Sequence, residues 1–217
     1  LNIDRRIAAG RTLKGHKVGL TARPMQELLG VDEPDYGHLL DDMIMADGAE
    51  IAISNLCSPK VEIEIAFVLG QNLKGPGCSL ADVLHATSFL LPSIEVVDSR
   101  VRDWKITLAD TIADNASSAG VVLGGKTTGA TDVDLVTLGA VLRKNGRVVE
   151  TGAGAAVLDH PGNAVAWLAN KLADFGMQLE PGHVILPGSC VRAIDASCGD
   201  TFRADFATLG SVSVSFV

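Results

Sequence analysis

Aromatic side chains are scarce in this chain, 4% of 217 residues, and basic ones are outnumbered, 18 Lys and Arg against 26 Asp and Glu, for a formal net charge of −8. A protein that grips a nucleic-acid backbone normally carries a basic surplus, because its affinity comes from neutralising phosphates. The sign here is wrong for that partner, and few aromatics are present to stack bases. Long apolar runs are missing as well. The longest stretches free of charged side chains, residues 83–94 and 206–217, fall short of the roughly 18–20 residues of a spanning helix. No charged segment followed by an apolar one marks a signal peptide. The four cysteines, Cys57, Cys78, Cys190 and Cys198, form no Cys-x-x-Cys pair and are too few for a disulfide framework, so reduced thiols in a cytoplasm are expected. Together these absences predict a cytoplasmic protein with neither nucleic-acid nor membrane partners. The ordinary hydrophobic fraction of 47% excludes disorder and supplies a sizeable core.

Twenty-three glycines and eight prolines punctuate short Val/Ile/Leu segments. That pattern predicts many strands and few helices. Strands are expected over residues 16–21, 49–53, 61–69, 89–97 (interrupted by Pro92), 120–123, 138–143, 184–186, 201–206 and 211–217. Asn145-Gly146 is a hairpin signal. Helices are expected over residues 2–9, 23–29, 80–87 with Ser79 as N-cap, and 161–175. In the last, Ala164, Val165, Leu168, Leu172 and Phe175 follow a 3.6 period. No repeat or linker divides the chain. The fold class read from this pattern is α+β, a single domain over residues 1–217 built on a large, mixed, curved sheet.

The sharpest chemical feature is Lys60-Val61-Glu62-Ile63-Glu64-Ile65. Residues two apart on a strand share a face, so Glu62 and Glu64 project together, about 7 Å apart along the strand. They either form a solvated polar face or reach a common cation. Glu95 lies within Leu90-Leu91-Pro92-Ser93-Ile94-Glu95-Val96-Val97, where an ionised carboxylate is costly unless paired or metal-bound. Arg100 or Arg102 is one candidate partner, a metal the other. Three strand carboxylates make a hard-oxygen set that suits Mg²⁺ or Mn²⁺, whereas no His/Cys spacing suits zinc. Gly152-Ala153-Gly154-Ala155-Ala156 follows a strand. However, Pro161-Gly162 interrupts any continuous helix and no acidic residue closes a βαβ unit, so a dinucleotide site is not expected.

Several segments in order then resemble one family: Lys17-Val18-Gly19-Leu20-Thr21, Pro34-Asp35-Tyr36-Gly37, Glu62-Ile63-Glu64, Glu95-Val96-Val97-Asp98-Ser99-Arg100 with Arg102-Asp103-Trp104, Ala113-Asp114-Asn115-Ala116-Ser117, and Gly152-Ala153-Gly154 with His160-Pro161. The set is similar to the 2-hydroxypentadienoate (2-keto-4-pentenoate) hydratases and the related 4-oxalocrotonate decarboxylases of the fumarylacetoacetate hydrolase superfamily. It spans the chain from about Leu13 onward, and an initial helical segment of the family is expected to be missing. The resemblance implies a mixed sheet rolled into an irregular barrel-like core with flanking helices. It implies Mg²⁺ or Mn²⁺ on Glu62, Glu64 and Glu95, and proton-transfer or charge-stabilising roles for Lys17 and Asp35. It also implies hydrogen bonds to substrate from Asn115, Ser117 and Ser189. A homo-oligomer, pentamer or decamer, and association with a neighbouring pathway enzyme belong to the same implication.

The implied reaction adds water to a 2-hydroxy-2,4-dienoate, giving a 4-hydroxy-2-oxo acid in meta-cleavage breakdown of aromatics or steroids. A metal chelating the 2-oxo acid would stabilise enolate charge, and burial beside that cation would depress the Lys17 pKa. Pro187 departs from the family, where Ser or Thr is frequent, and brings neither hydroxyl nor N–H. Arg102-Asp103-Trp104-Lys105-Ile106 resembles hydratases. Asn115-Ala116-Ser117-Ser118 and Gly75-Pro76-Gly77-Cys78 lean toward the decarboxylases, the alternative activity. A hydrolase cutting C–C bonds in acylpyruvates, whose usual His–Glu pair is not found, and a non-catalytic partner subunit are the remaining readings.

Overall fold

A computed structural model describes residues 2–22, 26–27 and 31–217. The helix expected over residues 23–29 falls largely outside them. Four helices are described: α1 (Asn2–Ala8), α2 (Leu80–Ala86), α3 (Leu108–Ala113) and α4 (Pro161–Ala173). The first strands are β1 (Leu13–Gly19), β2 (Asp35–Leu40), β3 (Ile44–Ala46), β4 (Ala49–Ile51), β5 (Pro59–Leu69) and β6 (Thr87–Asp98). They are followed by β7 (Ser118–Leu123), β8 (Gly139–Lys144), β9 (Arg147–Ala153), β10 (Val184–Leu186), β11 (Ile194–Asp195), β12 (Thr201–Phe206) and β13 (Gly210–Phe216).

These strands divide between two sheets rather than lying in a single one. One runs β2-β1-β10-β5-β6-β7-β3, with β11 also pairing β5; the other runs β4-β13-β12-β8-β9. Both mix parallel and antiparallel pairs. In the larger sheet β2 and β3 occupy opposite edges, yet only the 3-10 turn Asp41–Met43 joins them in sequence. Three residues cannot bridge a flat sheet of seven strands spaced about 4.8 Å apart. The sheet therefore curls until its edges meet, and β2 comes into contact with β7. This is the rolled, barrel-like core that the resemblance implies.

Two apolar clusters follow from the period-2 alternation. Val61, Ile63, Ile65 and Phe67 of β5 point out of the roll, into the main core with Leu168 and Leu172 of α4 and Phe202, Val214 and Phe216 of the second sheet. The alternate positions point into the roll, where Leu39, Ala66, Val121, Val184 and Leu186 form a smaller cluster that Ile3 of α1 packs against. The inward face of β5 thus changes from apolar at Ala66 to acidic at Glu64 and Glu62.

Local signals explain most boundaries. Asn145 and Gly146 take φ of 52° and 79° and join β8 to β9 with Lys144 opposite Arg147, the positive-φ turn that Asn-Gly favours. Ser79 caps α2, its hydroxyl accepting from Asp82 N–H. His160 Nδ1 accepts from Gly162 N–H at the start of α4. β1 ends earlier than expected because Leu20 adopts φ of 55°. Pro92, expected to interrupt its strand, lies inside a continuous β6. Its carbonyl accepts from Gly124 N–H just beyond the β6–β7 ladder, which starts at Ser93 opposite Leu123. A proline there forfeits no ladder bond. Among the described residues no helix is long and apolar enough to cross a membrane, and the four cysteines are free thiols.

Candidate active site

The β5–β6 register sets Glu62 directly opposite Glu95 and Glu64 opposite Ser93. Like charges directly opposed on a sheet repel, and here they do so inside the roll. Glu64 and Glu95 are fully buried, while Glu62 is half-buried at the open side. One carboxylate oxygen from each of the three lies within 4.8 Å of the others. Glu64 Oε1 and both Glu95 oxygens are buried with no hydrogen-bond partner, whereas Glu64 Oε2 accepts from Gly188 N–H at 2.7 Å. Burial, and then mutual repulsion, push the Glu64 carboxyl well above its ordinary range. Burial raises Glu62 to about 7 against the opposing pull of Lys17, and Glu95 is raised by burial against the same pull.

Both sequence alternatives are thereby decided against. The Glu62/Glu64 face is not a solvated surface: Glu64 is fully buried and only Glu62 is partly exposed. Arg100 pairs not with Glu95 but with Asp114, its Nε 2.6 Å from Asp114 Oδ1, and Arg102 is exposed. Buried, converging, unpartnered carboxylate oxygens are what a divalent hard cation satisfies. The donor set fits Mg²⁺ or Mn²⁺, with Glu62, Glu64 and Glu95 as the residues able to hold it.

Lys17 on β1 faces the same space, opposite Gly37 of β2 and Leu186 of β10. Its ammonium is buried, 3.5 Å from Glu95 Oε2 and 3.2 Å from the Ala116 carbonyl. Burial alone would lower its pKa, but Glu95, Asp35, Glu62 and Glu64 together override that and hold it above the ordinary lysine range. Without a cation the direction is thus opposite to the depression expected beside one. Asp35, at the start of β2, is buried; its Oδ2 accepts from Thr111 Oγ1 at 2.7 Å and its Oδ1 has no partner. Gly19 lets both groups approach: a Cβ there would lie 2.2 Å from Asp35 Oδ1 and 3.0 Å from Lys17 Nζ.

The three expected substrate contacts are placed differently. Asn115 Oδ1 accepts from His38 N–H at 2.7 Å and its Nδ2 donates to the His38 carbonyl at 2.9 Å, so its amide is engaged with β2 backbone. Ser117 is buried and its hydroxyl donates to Asp114 Oδ2 at 3.3 Å. Ser189 Oγ donates to the Ile63 carbonyl and accepts from Ile63 N–H, both at 3.3 Å, alongside the metal-binding strand. Sequence reasoning missed Thr111 beside Asp35, the Gly188 N–H on Glu64, and Ser118, whose buried hydroxyl has no partner and lies near Glu95. A single threonine on a short helix and a loop glycine carry no sequence pattern that points inward. Pro187 precedes Gly188, whose φ of 114° and close approach to Thr21 Oγ1, 2.0 Å from a Cβ position, both require glycine.

No protein-family model matches the chain. Known proteins do. It is 48% identical over 220 residues to a 2-oxo-hept-4-ene-1,7-dioate hydratase of Escherichia coli, covering 98% of this chain and 82% of the relative. It is 44% identical over 216 residues to a 2-keto-4-pentenoate hydratase of Paraburkholderia xenovorans (strain LB400), covering 100% and 80%. The chain belongs to the family of these hydratases and the 4-oxalocrotonate decarboxylases. A solved member of the family, the 4-oxalocrotonate decarboxylase from Pseudomonas putida G7 complexed with magnesium and adipate, superposes with a TM-score of 0.97. That structure is 42% identical, with 100% of this chain and 82% of the other covered. The family's fold recurs at much lower identity in fumarylacetoacetate hydrolase family proteins. Its hydratases are hydro-lyases.

Proposed function

We propose that the protein is a divalent-metal-dependent hydratase of 2-hydroxy-2,4-dienoates of the 2-hydroxypenta-2,4-dienoate type, giving 4-hydroxy-2-oxo acids. The observation that carries this reading is the convergence of Glu62, Glu64 and Glu95, the last two buried with carboxylate oxygens that accept no hydrogen bond, and Lys17 ion-paired to Glu95 beside them, in a chain 48% identical to a hydratase. Mg²⁺ or Mn²⁺ on the three carboxylates supplies the Lewis acidity that stabilises negative charge on the substrate's 2-oxygen.

The chain's own groups supply the proton chemistry. Asp35 Oδ1 has no partner and takes the proton from the 2-hydroxyl and returns it to C5, converting the dienol to the α,β-unsaturated ketone; water then adds across C3=C4, its oxygen bonding C4 and its hydrogen going to C3. Lys17, buried beside Glu95 at 3.5 Å, is placed to donate a hydrogen bond to the developing negative charge. Thr111 keeps Asp35 oriented through the bond to Oδ2. Burial of the site away from bulk water strengthens each of these contacts.

A second reading, the decarboxylase of 2-oxo-3-hexenedioate, is favoured by the 0.97 superposition on a decarboxylase. Both use the same enolate charge stabilisation. The non-catalytic reading is disfavoured by the buried charges, which a scaffold would have no reason to retain. The setting we propose is a cytoplasmic homo-oligomer, pentamer or decamer, of one catalytic domain per chain. It would act in meta-cleavage catabolism, after a step that releases a 2-hydroxydienoate. The test is a comparison of substrates by purified protein with Mg²⁺. Consumption of 2-hydroxypenta-2,4-dienoate with formation of the 4-hydroxy-2-oxo acid is expected. Release of CO₂ from 2-oxohex-3-enedioate with no hydration of the dienoate would replace the hydratase reading by the decarboxylase one.

A further inference from the structure

Between α3 and β7 the backbone does something unusual. Asn115, Ala116 and Ser117 take φ of 58°, 51° and 54°, three successive non-glycine residues in the left-handed region. Ala and Ser disfavour that region, Asn less so, and strain of this kind persists only where surroundings hold it, most often at functional sites. Here the holding group is visible. The Asn115 amide makes two bonds to one residue of β2, accepting from His38 N–H and donating to the His38 carbonyl. Gly37, the neighbouring residue, lets the turn sit against the strand: a Cβ on Gly37 would lie 2.4 Å from the Asn115 carbonyl oxygen.

The consequence falls on Lys17. Gly37 is the β2 partner of Lys17, so the clamp sets the turn down beside that lysine, and the Ala116 carbonyl meets its ammonium at 3.2 Å. The same ammonium is drawn toward Glu95 at 3.5 Å. A cation on Glu62, Glu64 and Glu95 needs the Glu95 oxygens. A second, neutral acceptor, the Ala116 carbonyl, holds the lysine without occupying them.

We propose that Asn115 is a positioning residue. By clamping the left-handed turn to β2 it aims the Ala116 carbonyl at Lys17 and fixes the ammonium beside the metal-binding carboxylates. This inference rests on the proposed role of Lys17 in the reaction, and it replaces a direct contact between Asn115 and substrate.

Two variants test it from opposite sides of the contact. Asn115→Gly removes the clamp yet tolerates positive φ; Gly37→Ala pushes the turn away by its methyl and adds or removes no polar group. In both, kcat is expected to fall by about tenfold or more, while KM and the Mg²⁺ dissociation constant stay within about threefold, the signature of a group that acts after binding. A crystal structure of Asn115→Gly is expected to show the residue-116 carbonyl beyond hydrogen-bond reach of Lys17, past about 3.5 Å. A raised KM with unchanged kcat would make Asn115 a substrate contact and overturn the proposal. Unchanged kinetics in both variants, or loss of folded protein or of Mg²⁺ binding in both, would overturn it too. The structural readout needs no activity. If wild-type protein turned over no dienoate, the proposed function would fail, while an unmoved carbonyl would defeat the clamp separately.

Discussion

Glu95→Gln keeps the size of the buried side chain and removes its charge. In the metal-free protein that charge is opposed on two sides and supported on one. At the 4.8 Å limit and an effective dielectric near 20, each ionised carboxylate pair repels by about 3.5 kcal/mol. Lys17 at 3.5 Å attracts Glu95 by about 5 kcal/mol on the same scale. Two repulsions lost against one attraction lost leave a relief of about 2 kcal/mol, and less where burial already keeps a proton on Glu62 or Glu64. For a chain of this length that is a Tm change of only about 5 °C, in the stabilising direction. Magnesium reverses the comparison. At a concentration 100 times its dissociation constant, an ion that binds only the folded state adds about 2.7 kcal/mol, and the variant lacks one of three ligands. Thermal unfolding with and without Mg²⁺, with activity on the same samples, reads both halves. Wild-type Tm is expected to rise with Mg²⁺, while Glu95→Gln is expected to be at least as stable without metal, to gain nothing from it, and to be inactive. Wild-type activity, or a wild-type Mg²⁺ shift in the variant, would refute the assignment.

Other outcomes follow from the same geometry. Glu62, Glu64 and Glu95 all have folded-state pKa values raised above their unfolded ones. Their protonation therefore stabilises the metal-free protein fully below about pH 4.5, and that contribution is lost as pH rises, for Glu62 through about 7; chelator-treated protein should lose stability over that interval, and Mg²⁺ should restore it increasingly toward neutral pH. A metal-free Tm that is flat from pH 5 to 7.5 would contradict this. Gly19→Ala places a methyl 2.2 Å from Asp35 Oδ1; activity should fall at least about tenfold with secondary structure retained, as circular dichroism would show, since the site must be held to within about 0.5 Å. Phe67→Ala empties a fully buried core position and should cost about 3–5 kcal/mol in denaturant unfolding. Gly146→Ala, at φ of 79° in the β8–β9 turn, should cost on the order of 1 kcal/mol by the same measurement.

Features with a local cause were legible in the sequence. Alternation in Lys60-Val61-Glu62-Ile63-Glu64-Ile65 placed both glutamates on one face because the strand period is two. Glu95 stood out because an ionised carboxylate among apolar neighbours demands a partner. Asn145-Gly146, Ser79 and His160 each carry their turn or cap in a single side chain. What decided the site was not local. The closure of the larger sheet through Asp41–Met43 turns one strand face into an interior, and no residue of that turn announces it. The β6 strand runs through Pro92 because its pairing with β7 starts only at Ser93, opposite Leu123, a fact about pairing. Asn115-Ala116-Ser117 has one residue tolerant of positive φ and two that are not, so its left-handed turn is imposed by β2 rather than chosen by composition.

The central claim is that the acidic interior of the roll is a cation site. Anomalous diffraction from crystals grown with Mn²⁺ tests it most directly. A single strong peak per chain is predicted, bounded by Glu62, Glu64 and Glu95 at about 2.2 Å, with water or substrate completing six oxygen ligands. No peak at that point, with Lys17 closed onto Glu95 instead, would contradict it.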